Sequence, residues 1–89
     1  MTLVLARDGK TEKIINLIGP YGGRESRILD VGCGFGRNLK ALQAAGFPRV
    51  TGVDKTPQIV KFVCQDGYEC LGSWHFAKST DQFDVILIQ

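Results

Sequence analysis

Arg27-Ile28-Leu29-Asp30-Val31-Gly32-Cys33-Gly34-Phe35-Gly36-Arg37-Asn38 runs from a short apolar stretch into three glycines spaced two apart and then into a different period. Arg27 to Val31 has the length and composition of a buried strand. From Arg37 onward Leu39, Leu42 and Ala45 recur on one helical stripe, and Gly46 stands where a chain leaves a helix through the left-handed region. A strand that turns through glycines into a helix start exposes backbone N–H groups with no side chains to hold a ligand away. Something flat or narrow can dock there.

Upstream, Ile14, Ile15, Leu17 and Ile18 suit one face of a helix over Thr11 to Ile18, which Gly19-Pro20 and Gly22-Gly23 end. Downstream, Pro48 restarts the chain in extended form, and Val50-Thr51-Gly52-Val53-Asp54 predicts a second strand. Thr56 as cap, Pro57 at the first helical position, a buried stripe of Ile59, Phe62 and Val63, and Gly67 beyond the end predict a third helix. Tyr68 to Leu71 reads as a third strand, Gly72 to Gln82 as a loop with room for one helical turn, and Phe83 to Ile88 as a buried fourth strand. Strands alternating with helices at this spacing imply a parallel sheet with right-handed crossovers, so the fold class is α/β with helices on both faces. A chain ending on the apolar strand 83–88 leaves an open edge and a poorly covered face, an ending that reads as truncated. A second copy or a partner chain is the expected cover for that edge, with aggregation as the alternative.

The 89 residues are 44% hydrophobic and 22% charged, with a net charge of +2, which describes one ordinary globular domain over 1–89. Collagen-like, disordered and polybasic classes are excluded by the absence of a glycine period or a block of like charge. No apolar run approaches the ~20 residues of a membrane span, and Arg7 and Asp8 interrupt the apolar start before signal-peptide length, so a cytoplasmic protein is expected. Cys33, Cys64 and Cys70 match neither a disulfide framework nor a zinc ligand set and predict free thiols.

Asp54 follows Gly36 by 18 residues and ends the second strand, where the crevice of an open α/β sheet lies. A carboxylate there can accept both hydrogen bonds of a ribose diol; the bland alternative is a turn aspartate ahead of Thr56-Pro57. Glycine loop and acid together suit a nucleoside cofactor. A dinucleotide site wants Gly-x-Gly-x-x-Gly, whereas Arg37 stands at the sixth position here, and no Gly-Lys-Ser/Thr supports a P-loop. An NAD(P)-binding fragment is therefore the weaker reading.

Ile28 to Asn38 resembles motif I of the class I S-adenosylmethionine-dependent methyltransferases, Val50 to Asp54 resembles their motif II, and Phe83 to Ile88 their fourth strand. The resemblance implies a Rossmann-like sheet of strand order 3-2-1-4, forming the cofactor-binding half of such an enzyme, with S-adenosylmethionine as cofactor. It further implies that Gly32, Cys33, Gly34 and Gly36 let the methionine part pass close to the backbone, with Cys33 itself read as packing. Asp30 would organise the loop or meet the cofactor's amino group, Asp54 would hold the ribose hydroxyls, and the backbone around Lys55 and Thr56 would border the adenine. Where relatives carry an acid after strand three, Gly72-Ser73-Trp74-His75 stands here, so Ser73 could act as an acceptor and Trp74 could pack on the purine or simply cover the sheet. His75 is read as a loop histidine, Arg37 and Asn38 as orienting the helix start, and Lys10, Lys13, Lys40 and Lys61 as solvated. No general base is assigned, and the resemblance implies that acceptor-selecting residues lie mostly beyond Gln89 and in the leading helix. A small-molecule acceptor is favoured, nucleic acid is not indicated, and a non-catalytic cofactor-binding or interaction module is the alternative.

Overall fold

The computed structural model describes residues 2–6, 11–18, 23–77 and 82–88. Strand β1 (Leu3–Ala6) leads into helix α1 (Thr11–Ile18) and a short 3-10 turn at Gly23–Glu25. Then follow β2 (Ile28–Val31), α2 (Arg37–Ala44), β3 (Val50–Asp54), α3 (Pro57–Gln65), β4 (Glu69–Gly72), the short helix α4 (Ser73–Ala77) and β5 (Val85–Ile88). Among the described residues five strands form one parallel sheet in the order β1-β5-β2-β3-β4. The expected four-strand order is present in full.

The exception lies at its edge. β5 is not open: Leu3 to Ala6 pair with Val85 to Ile88 in register, so the chain's own start covers the edge that was expected to need a second copy or a partner. Leu3 and Leu5 pack on the core beneath, which supplies the apolar contact that holds so short a strand.

Alternation along the strands sorts the side chains to two faces. On one, Ile14 and Ile18 of α1, Leu39 and Leu42 of α2 and Val63 of α3 close over Ile28, Val50, Val85 and Leu87. A fully buried aliphatic side chain of this kind contributes roughly 1.5–3 kcal/mol. On the other face Leu29, Val53 and Phe83 form a smaller cluster with Val31, Leu71, Ile86 and Phe76 of α4. α4 takes the place of the single helical turn expected after the third strand.

Three local expectations need correction. Leu17 does not share the buried face of α1; it is 46% exposed, whereas Ile14 and Ile18 are buried. Phe62 is not in the buried stripe of α3; it is 46% exposed, while Val63 beside it is 1% exposed. The Thr56 hydroxyl makes no cap, and the Thr56 N–H instead donates to Asp54 Oδ1 at 3.0 Å.

Candidate functional site

The glycine loop starts as a continuation of the sheet. Gly32 N–H and Cys33 N–H both donate to the carbonyl of Val53, at 2.8 and 3.1 Å, which seats the loop over the end of β3. Gly34 and Gly36 then take φ of +56° and +87°, a left-handed conformation that costs an L residue about 1–2 kcal/mol. Gly36 caps α2, with the Lys40 N–H donating to its carbonyl at 2.9 Å.

Asp54 joins this loop to the next helix. Its Oδ2 accepts the Gly34 N–H at 3.1 Å and its Oδ1 accepts the Thr56 N–H, so one carboxylate ties the loop to the start of α3. The turn-aspartate contacts are thus real. They leave room for more, because each carboxylate oxygen can accept a second hydrogen bond.

Two adjoining cavities open at this end of the sheet. One of about 230 Å³ is lined by Val31, Gly32, Val53, Asp54, Lys55 and Ser73. The other, about 400 Å³, is bounded by Asp54 and Lys55, by Pro57, Val60 and Lys61 of α3, and by Gly72, Ser73 and Trp74. Asp54, Lys55 and Ser73 stand on the wall shared by both. Of the residues named from sequence, the cavities therefore bring together Gly32, Asp54, Lys55, Ser73 and Trp74, with Gly34 attached through Asp54.

Asp30 and Cys33 sit elsewhere. Asp30 is fully buried on β2, and Cys33 is tucked into the core with its Sγ 3.6 Å from Cys70 Sγ. Burial above all pushes the Cys33 thiol up to about 12, helped by its hydrogen bond to Cys70 and by the nearby charges of Cys70, Asp30 and Asp54. Burial likewise raises Cys70. Neither is a thiolate at neutral pH, so neither is a nucleophile. The packing role read for Cys33 stands.

Gly52 explains how Cys33 fits. A Cβ on Gly52 would lie 2.7 Å from Cys33 Sγ and 2.9 Å from Leu39 Cδ1, so the strand leaves a gap beneath the loop that the thiol fills. Lys40, expected to be solvated, pairs with Asp66 at 2.7 Å. Lys61 is exposed but borders the larger cavity. Pro57, Val60 and Lys61 were given no site role from sequence, Pro57 being read as a helix start and Lys61 as solvated, since the wall they form exists only once α3 has folded back against β4. Lys10, Gln89 and the His75 side chain lie outside the described residues.

The shape suits a nucleoside carried on a flexible chain. The larger cavity offers the apolar surfaces of Pro57, Val60 and Trp74 to a flat base, Asp54 stands between base and loop where a diol would come, and Gly32 opens the smaller cavity to the backbone.

The methyltransferase domain family matches residues 5–88, and the chain belongs to that family. It is 38% identical over 58 residues to a tRNA U34 carboxymethyltransferase from Shewanella frigidimarina, a match covering 65% of this chain and 16% of that protein. Its fold is similar to that of the sugar N-methyltransferase KedS8 from Streptoalloteichus sp ATCC 53650, with a TM-score of 0.71, 21% identity and coverage of 92% of this chain and 34% of that one. It is likewise similar to CalS10, an amino pentose methyltransferase from Micromonospora echinaspora solved with S-adenosylmethionine bound. There the TM-score is 0.69 and the identity 24%, over 91% of this chain and 38% of that one. The chain thus spans about a third of the length of these solved structures and a smaller share of the curated relative. No helix among the described residues is long and apolar enough to cross a membrane.

Proposed function

We propose that this chain binds S-adenosylmethionine and serves as the cofactor-binding unit of a methyltransferase acting on a small molecule. The observation that carries the reading is Asp54: a carboxylate tied to the glycine loop and standing on the wall between a base-sized apolar cavity and a glycine-lined one. When bound, the cofactor's sulfonium supplies an activated methyl group for in-line displacement, so the protein's part is alignment and exclusion of water. Asp54 accepts the ribose hydroxyls, Pro57, Val60 and Trp74 shield the base, Lys55 and Ser73 border it, and Gly32, Gly34 and Gly36 admit the methionine part against the backbone. Asp30, buried beneath, fixes the strand end from which the loop departs. Small-molecule acceptors are favoured by the sugar substrates named for the two similar structures and by the modest net charge of +2. Three free thiols suit a reducing, cytoplasmic setting.

Calorimetric titration with S-adenosylhomocysteine, the demethylated product, tests the reading, with NADH as control. Saturable binding of the former alone is expected. Saturable NADH binding with no response to S-adenosylhomocysteine would overturn it in favour of a nicotinamide site.

A further inference from the structure

The glycine loop is held from inside by Cys33, buried against Cys70, and from beside by Asp54, but its tip carries one more side chain. Phe35 lies between Gly34 and Gly36, and although 64% exposed it meets the ring of Phe62 edge to face, with centroids 5.2 Å apart and planes at 86°. Lys40 Nζ sits over the same Phe62 ring at 5.9 Å and is itself fixed by Asp66. Phe62 is thus a half-exposed aromatic on α3 whose neighbours are the loop tip and the first turn of α2. Two large apolar rings left this open to water are poorly explained by core burial. Left-handed glycines on both sides of Phe35 give the loop little stiffness of its own, so a contact at its tip decides how well its N–H groups stay aligned.

We propose that Phe62 is a positioning residue of the cofactor site: by docking Phe35 it holds the glycine loop in the shape that receives the cofactor, without touching the cofactor. The inference rests on the function proposed above. Loss of the contact lets the loop sample other conformations, and binding then has to select the competent fraction.

The test compares Phe62→Ala, Phe62→Leu and Phe62→Tyr by calorimetric titration with S-adenosylhomocysteine and by hydrogen exchange of the Gly36 amide, which donates to the Cys33 carbonyl at 3.2 Å, in ligand-free protein. Phe62→Ala is expected to speed that exchange and to weaken binding about fivefold, the size of an aromatic pair, and to lower the thermal midpoint by only the few degrees that the loss of one such contact brings. Phe62→Tyr, which keeps the ring, restores both; Phe62→Leu does not. Unchanged exchange and affinity in Phe62→Ala, or full restoration by leucine, would overturn the proposal. Wild-type protein that takes up no S-adenosylhomocysteine overturns the underlying function instead, whereas wild-type and Phe62→Ala proteins of equal affinity overturn only the role of Phe62.

Discussion

Asp54 Oδ2 accepts a hydrogen bond from the Gly34 N–H at 3.1 Å, so the acid that ends β3 also shapes the loop that ends β2. Replacing it by alanine removes both the diol acceptor and the tether. Asp54→Ala is therefore expected to lower S-adenosylhomocysteine affinity by at least tenfold and to cost about 1–2 kcal/mol of stability, read by titration calorimetry and denaturant unfolding. Full affinity in the variant would refute the assignment.

Trp74 is the single tryptophan, 70% exposed, and borders the larger cavity. A base entering that cavity covers one side of the indole. Its emission is expected to shift to the blue on titration with S-adenosylhomocysteine and to stay unchanged with NADH. A saturable calorimetric signal with no change in emission would place the base away from Trp74.

Gly52→Ala tests the gap beneath the loop. The new methyl would meet Cys33 Sγ at 2.7 Å and Cys33 Cβ at 3.0 Å. Overpacking of this kind costs about 1–3 kcal/mol, and the thermal midpoint is expected to fall accordingly. Adding Cys33→Ala removes the shortest contact and should recover part of the loss, a coupling that a double-mutant cycle measures. Strict additivity of the two changes would contradict the packing described.

The three thiols should separate under native labelling. Cys64 is exposed and is expected to react with a thiol reagent at pH 8, while Cys33 and Cys70 react only after unfolding. Cys33 also sets a pH dependence. Its thiol ordinarily ionises near 9.0 and in the folded chain near 12, so above pH 9 the unfolded state gives up a proton that the folded state keeps. Its contribution to stability is therefore complete below pH 9 and declines as pH rises toward 12. Cys33→Ala should flatten that part of a stability-against-pH curve.

The middle of the fold was readable because each element there announces itself locally: apolar runs of strand length, a helical stripe at Leu39 and Leu42, and glycines at the turns. β1 was not readable. Leu3-Val4-Leu5-Ala6 is too short to show alternation, and what makes it a strand is β5, which lies at the far end of the chain. Gly32 and Asp54 could be placed near one another from motif spacing, and Lys55, Ser73 and Trp74 from the family resemblance, whereas the wall formed by Pro57, Val60 and Lys61 could not, because a cavity wall is a product of packing. Phe62 misled for a related reason: its spacing fits the buried stripe beside Val63, and only the position of Phe35 shows why an aromatic stands there half exposed.

The β1–β5 pairing also sets an order of assembly. β2, β3 and β4 join through short crossovers, but Thr2 Oγ1 donates to the Phe83 carbonyl across 81 residues, and no contact of that kind can form until the intervening chain has collapsed. Closing so long a loop carries an entropic cost that local pairs do not bear. The three contiguous strands are thus expected to nucleate folding and the β1–β5 seam to zip up last. By the same reasoning the seam opens first in the native state, so the backbone amides of β1 should exchange with solvent ahead of those of β2 and β3.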